Sequence, residues 1–322
     1  MNESCSRFSR RRFLGTTGVL AASAFAPSLV WSRPTQLIEG VRIGAISYSF
    51  RQIPSSAEEI LGYMTTLGLD TIELMGGPAE AFAGAPVGPA MPRNFRDLSE
   101  EERQEARRAR AEAAKEMKVW RASASMDRFE ALGSMFADAG VDIDILKLGQ
   151  SRWSDEEIDY AFRAAKAVGA RGISFEISNE AAERMGPFAT KHDMLTGMHN
   201  HIQVANEDFS WDVPLSFSPN NMLNLDIGHY VAGLGASPLP VIRKYHDRIT
   251  HLHLKDRKNP DNGGANMPWG QGDTPIGEVL RLLRDEAYPI TAMIELEYEI
   301  PENSSVMQEM EKCVAFCRDA LG

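Results

Sequence analysis

The stretch "ITHLHLKD", Ile249–Asp256, decides how this chain is read. Leu252 and Leu254 alternate with His251, His253 and Lys255, which is the period of a β-strand, whose successive side chains point to opposite faces. One face is leucine; the other carries two imidazoles and an amine. A strand in an ordinary core has no use for that second face, so it is expected to look into a site.

Seven other stretches have the length and apolar pattern of strands. They are 41–50 "VRIGAISYSF", 70–75 "DTIELM", 141–149 "VDIDILKLG", 171–178 "RGISFEIS", 195–201 "LTGMHNH", 222–230 "MLNLDIGHY" and 290–298 "ITAMIELEY". Helix signals fall between most of them. Ser56–Glu59, Ser99–Glu102 and Ser154–Glu157 read as capping boxes, and the helix opened by Ser154 should end near Gly169. The densely charged run after Ser99 is expected to be a solvated helix face. Eight strand–helix alternations in roughly 290 residues predict a single α/β domain, a (β/α)8 TIM barrel, over residues 33–322. The Gly-, Pro- and Ala-rich section from Gly76 to Arg96, and that from Arg257 to Pro275, are predicted as long loops. Both would lie at the C-terminal mouth, where barrels build their sites.

The alternation then sorts side chains. One parity carries Ser47 and Ser49, Glu73, Lys147, Glu176, His199 and His201, Asp226, His253 and Lys255, and Glu295 and Glu297. The other is mainly Ile, Leu, Phe, Tyr and Met. A purely structural barrel fills its interior with branched aliphatics, so polar groups gathered at the C-terminal strand ends point to a site. His199, Asp226, His253 and Glu295 come from the fifth to eighth strands in order. Two imidazoles and two carboxylates suit one divalent ion of intermediate hardness: Mn, Co, Zn or Mg. Burying two unpaired carboxylates would cost several kcal/mol each, and an ion removes that penalty.

"NLDIGHY", "ITHLHLKD", "WGQGDTPIGEVL" and "MIELEYE" together resemble the sugar phosphate isomerase/epimerase group of xylose isomerase-like TIM barrels. The resemblance spans nearly the whole chain after its first residues and is most specific over 195–297. It implies one ligand from each of the last four strands, in the order Glu, Asp, His, Glu. Asp226, His253 and Glu295 match the last three. His199, in "HNH", stands where the first glutamate is expected, with Glu176 or His201 as the other candidates for that place.

Such a site favours proton transfer beside a carbonyl, through an enediolate stabilised by the metal. The expected activity is a sugar isomerase or epimerase. Glu295 can act as base while ligating; Glu176, Lys255 and His229 are the other catalytic candidates, Lys255 as base or as polariser of an oxygen. Glu73, Lys147, His201 and Trp269 are candidates for holding the sugar. A non-phosphorylated or oxidised sugar is expected, because no phosphate loop or evident basic cluster is visible. Two alternatives stay open: a lyase or hydratase acting on a 3-keto-glycoside by the same deprotonation, and a sugar-binding barrel without activity. A DNA-repair endonuclease of the same barrel type is disfavoured by charge. The 322 residues carry a net charge of −11, whereas binding nucleic acid calls for a basic surface.

Residues 1–32 have the pattern of a twin-arginine export signal, with Ser9, Arg10, Arg11, Phe13 and Leu14 ahead of a mildly apolar run broken by Pro27. The expected location is the periplasm, reached in the folded state, with no stable membrane association after signal removal. Loss of four Arg and one Glu would leave a net charge of −14. A small-molecule sugar is the expected partner, nucleic acid is not, and pairing into a homo-oligomer is open. Cys313 and Cys317, four apart on a predicted terminal helix, read as two small buried residues.

Overall fold

All eight expected strands form, in the expected order, and they close on themselves. The computed structural model describes residues 37–89 and 98–322; the export signal lies outside them. A two-residue strand β1 (Leu37–Ile38) pairs antiparallel with β2 (Val41–Ile46). There follow β3 (Thr71–Met75), β4 (Asp142–Lys147), β5 (Gly172–Glu176), β6 (Leu195–His199), β7 (Asn221–Asp226), β8 (Ile249–Leu254) and β9 (Thr291–Ile294). Each is parallel to the next, and β2 pairs with β9 through Ile43–Ala292, Gly44–Met293 and Ala45–Ile294. This is a (β/α)8 barrel.

Helices wrap the outside: α1 (Ala57–Leu67), α2 (Gly76–Phe82), α3 (Glu100–Ser123), α4 (Asp127–Asp138), α5 (Asp155–Ala167), α6 (Asn179–His192), α7 (Asp212–Ser216), α8 (Ile227–Leu234), α9 (Leu239–Tyr245), α10 (Ile276–Asp285) and α11 (Val306–Leu321). Ser56 and Ser99 make reciprocal capping boxes with Glu59 and Glu102, and Glu157 accepts from the Ser154 N–H at 3.1 Å. The charged helix α3 buries none of its residues, as a solvated face should. Among the described residues no helix is long and apolar enough to cross a membrane.

Two expectations need correction. Gly76–Phe82 is not loop but the helix α2: Pro78 falls in its first turn, where a missing N–H costs nothing, and Ala79, Glu80 and Ala81 favour helix. The first strand stops at Ile46, and Ser47–Phe50 turn as a 3-10 helix. Its hydroxyls staple neighbouring strand ends: Ser47 Oγ accepts from Met75 N at 2.9 Å, and Ser49 Oγ donates to the Ile294 carbonyl at 3.1 Å.

Leu252 and Leu254 join the apolar layer under the helices, together with Leu223, Leu225, Ile173 and Ile294. The inward faces are polar at both ends. At the N-terminal end, Asp144 accepts from Arg171 Nε and Nη2 at 2.8 and 3.0 Å and from Arg42 Nη1 at 3.4 Å. Arg42 also bonds Asp142 at 2.9 Å, and Arg171 bonds the Thr250 carbonyl at 2.8 Å. Burial pushes the Asp144 carboxyl up, but Arg171 and Arg42 overcome it and hold it below the usual range. Asp144→Asn strips the balancing charge from two enclosed guanidiniums and is expected to cost about 3–5 kcal/mol, read by denaturant unfolding at neutral pH. Metal content of the folded variant should not change.

Cys313 and Cys317 are free and buried on α11. Burial pushes the Cys313 thiol up to about 12, so it carries no reactive thiolate.

Candidate metal centre and adjoining cleft

The C-terminal end of the barrel gathers the four side chains on which the sequence reading turned. His199 is the last residue of β6, Asp226 the last of β7, His253 the fifth of β8, and Glu295 directly follows β9. All are buried, and one donor atom from each lies within 4.8 Å of the other three. His199 Nε2 is 3.5 Å from Asp226 Oδ2, and His253 Nδ1 is 3.9 Å from Asp226 Oδ2 and 3.1 Å from Glu295 Oε2.

Local structure fixes each donor. Asp226 ends a strand and caps a helix at once: its Oδ1 accepts from the His229 N–H at 2.6 Å, which leaves Oδ2 aimed at the group. Asn200 grips the Asp226 backbone, accepting its N–H at 2.9 Å and donating to its carbonyl at 3.1 Å. The tight step from β7 into α8 requires Gly228, because a Cβ there would sit 2.6 Å from the Lys255 carbonyl. His199 turns Nδ1 to Glu176 at 3.0 Å and keeps Nε2 inward. His253 does the reverse, with Nε2 on Glu73 and Nδ1 inward. A carboxylate on the far nitrogen sets the tautomer and raises the basicity of the near one, as in metal-binding histidines generally.

The fit to an ion can be judged from unmet hydrogen bonds. His199 Nε2, Asp226 Oδ2, His253 Nδ1 and Glu295 Oε2 are all buried without a hydrogen-bond partner. They are the same four atoms that converge. Buried polar atoms without hydrogen bonds are rare, and two carboxylate oxygens and two imidazole nitrogens facing one another, with only the Lys255 ammonium paired to the oxygens, suit a shared cation. Burial opposes charge on His253, yet Glu73 and Glu295 push its pKa up to about 10, so the pocket draws positive charge even as a proton.

Lys255 stands beside the group, with Nζ 3.0 Å from Asp226, 3.1 Å from Glu295 and 2.7 Å from Glu297. Burial favours the neutral amine, but those three carboxylates raise the pKa above its ordinary value. These contacts hold Lys255 as an ammonium, the form that polarises an oxygen. His229 lies between Lys255 Nζ, 3.1 Å away, and Arg257 Nη1 at 2.5 Å. Burial and those two cations, against the pull of Asp226, lower it to about 3, so the ring is neutral. Burial pushes Glu295 up, but Lys255 and His253 bring it down to about 2, so it is ionised.

Glu73 does not face substrate. It is wholly buried, bonded by Ser174 Oγ and His253 Nε2, with His251 Nε2 at 3.3 Å. Burial raises its pKa, but the His253 and His251 charges prevail and hold it well below the carboxylate range. Its place is under the donors, orienting His253. Glu73→Gln is expected to weaken metal affinity about 10–100-fold with the fold retained, read by titration calorimetry. Trp269 is also elsewhere: its ring packs edge-on against Phe316 of α11, 5.5 Å between centroids.

The remaining candidates form the rim. Glu176 is half-exposed and receives His201 Nε2 at 2.6 Å and Lys147 Nζ at 3.1 Å. Glu176, Lys147 and Ser174 also line a cleft of about 570 Å³ that runs outward over the ends of β3, β4 and β5. Glu176, bonded to His199, thus connects the donors to a space large enough for a ligand. Asn224, 3.1 Å from His253 Nε2, and Glu297 complete the surroundings; Glu297 belongs to the polar parity, whereas Asn224 did not stand out by residue type.

Residues 183–316, which contain all four donors, match the family model of the xylose isomerase-like TIM barrel. Solved structures agree in fold. A sugar phosphate isomerase/epimerase from Parabacteroides distasonis superposes with a TM-score of 0.57 at 17% identity, covering 89% of this chain and 97% of that one. D-psicose 3-epimerase from Clostridium cellulolyticum, solved with D-tagatose, gives 0.58 at 12% identity over 87% and 99%. The probable 3-DHS dehydratase AsbF from Bacillus anthracis gives 0.55 at 16% identity over 85% and 99%. No curated protein sequence matches significantly.

Proposed function

We propose that this xylose isomerase-like barrel is a metal-dependent enzyme that moves a proton beside the carbonyl of a sugar, as an isomerase or epimerase. The observation that carries the reading is the convergence of four buried donors from consecutive strands beside Glu176, which lines a cleft. His199, Asp226, His253 and Glu295 would hold one divalent ion. When bound, it supplies positive charge against the sugar oxygen on which negative charge develops.

The chain's own residues do the rest. Glu295 is the ionised carboxylate at the centre and takes the carbon-bound proton. Lys255, fixed by Asp226, Glu295 and Glu297, keeps these acids ionised and their oxygens oriented. Glu176 faces the cleft, where it is ion-paired to Lys147. Glu73 and Glu176 hold the two imidazoles in their tautomers.

A second reading is favoured by the cleft itself, which is roomier than one sugar ring needs. The same deprotonation in a 3-keto-glycoside leads to elimination, in which the proton taken by Glu295 passes to the departing oxygen. Incubating the metal-loaded protein in D2O with free ketoses and with 3-keto-glycosides separates the two by NMR. Deuterium is expected at the carbon beside the carbonyl in either case. If no sugar of either class exchanges, proton-transfer chemistry is lost.

Export belongs to the proposal as well. Changing Arg10 and Arg11 to lysine should leave the protein unprocessed inside the cell, detected by fractionation.

A further inference from the structure

The cleft beside Glu176 is walled by cations that proton transfer does not use. Lys147, at the end of β4, presents a buried Nζ with no hydrogen-bond partner, its one ion pair being the 3.1 Å contact to Glu176. Arg121 reaches in from α3, bonded to Glu80 and Glu157, with its guanidinium 3.9 Å from the centre of the Trp153 ring. Arg152, exposed on the loop between β4 and α5, lines the same cleft and forms no ion pair with a described residue. It also lines an adjoining groove together with Lys118 and Arg184. Acids outnumber bases 45 to 34 in this chain, so a basic wall here runs against the composition.

The donors point the same way. Two carboxylates and two imidazoles offset a divalent ion, whereas a third carboxylate at position 199 would leave the centre anionic and repel a negative ligand. Guanidinium and ammonium groups beside a neutral centre suit a carboxylate, which accepts paired charge-assisted hydrogen bonds.

On the reading of the site given above, we propose that the substrate is a sugar acid: a sugar whose carboxylate is held by Arg152 and Lys147 in this cleft while its reacting carbons face Glu295.

Titration calorimetry on the metal-loaded protein tests this with D-glucuronate and D-galacturonate, their neutral counterparts D-glucose and D-galactose, and D-glucose 6-phosphate. At least one acid should bind about tenfold more tightly than its neutral counterpart, as one charge-assisted contact allows. Arg152→Gln, an exposed change that leaves the melting temperature in place, should remove most of that preference without touching neutral-sugar binding. Lys147→Met should do the same. Equal affinities, no binding of either acid, tighter binding of the phosphate, or an acid preference that survives both substitutions would each overturn the assignment. Deuterium exchange into a neutral ketose with no acid preference sinks this inference alone. Acid binding without exchange in any sugar sinks the proton-transfer reading and leaves the cleft assignment standing.

Discussion

His253→Ala is expected to abolish tight metal binding and, with it, activity. The substitution removes the donor that touches the most of the site: Nδ1 faces Glu295 and Asp226, and Nε2 anchors on Glu73. It also leaves Glu73 buried without its main partner. Loss of an orienting neighbour alone costs 10–100-fold in metal affinity, so loss of the donor should exceed about 100-fold. Metal analysis after gel filtration should find about one ion per chain in the parent and almost none in the variant. Because His253 is held protonated by Glu73 and Glu295, an ion must displace a proton from it. Apparent affinity should therefore rise with pH, and calorimetry in buffers of different ionisation heat should show proton release. Equal metal content in parent and variant would remove the centre from this part of the barrel.

Glu295→Gln makes the complementary test. Size and shape are kept, but the side chain can no longer accept the carbon-bound proton. The rate should fall by about 10²–10⁴, the span usual for removing a general base. Deuterium uptake should fall with it. Metal should bind more weakly, yet still bind, since the amide oxygen remains a donor. Retention of exchange in this variant would move the base to another residue, with Glu176 next in line.

Much of this was legible in the chain. Alternation in "ITHLHLKD" and its seven companions is enough to fix eight strands, their parallel closure and the face on which His199, Asp226, His253 and Glu295 lie. Strand parity reports a face, but not a depth. The pairing of β3 with β4 shifts between Ile72 and Glu73, and that of β7 with β8 between Leu223 and Asn224. Beside these shifts Glu73 and Asn224 turn their side chains to His253 Nε2, where Glu73 supports a donor instead of meeting substrate. Charge states were equally hidden. Lys255 reads as a candidate base until three carboxylates from two strand ends are seen around it. "GGPAEAF" reads as a breaker because Gly and Pro are weighed as residue types, while Pro78 is harmless in a first turn. Trp269 and Arg152 sit on loops, whose partners follow from tertiary packing and not from local pattern.

The ionic floor of the barrel carries one last consequence. Arg42 and Asp144, both nearly inaccessible to solvent, together with Arg171 plug the end opposite the donors. Among the described residues that end is filled, so sugar, ion and chelator are expected to reach the donors from the C-terminal side. A resident sugar should then act as a stopper: removal of the ion by EDTA slows as sugar saturates the protein, and product must depart before the ion can.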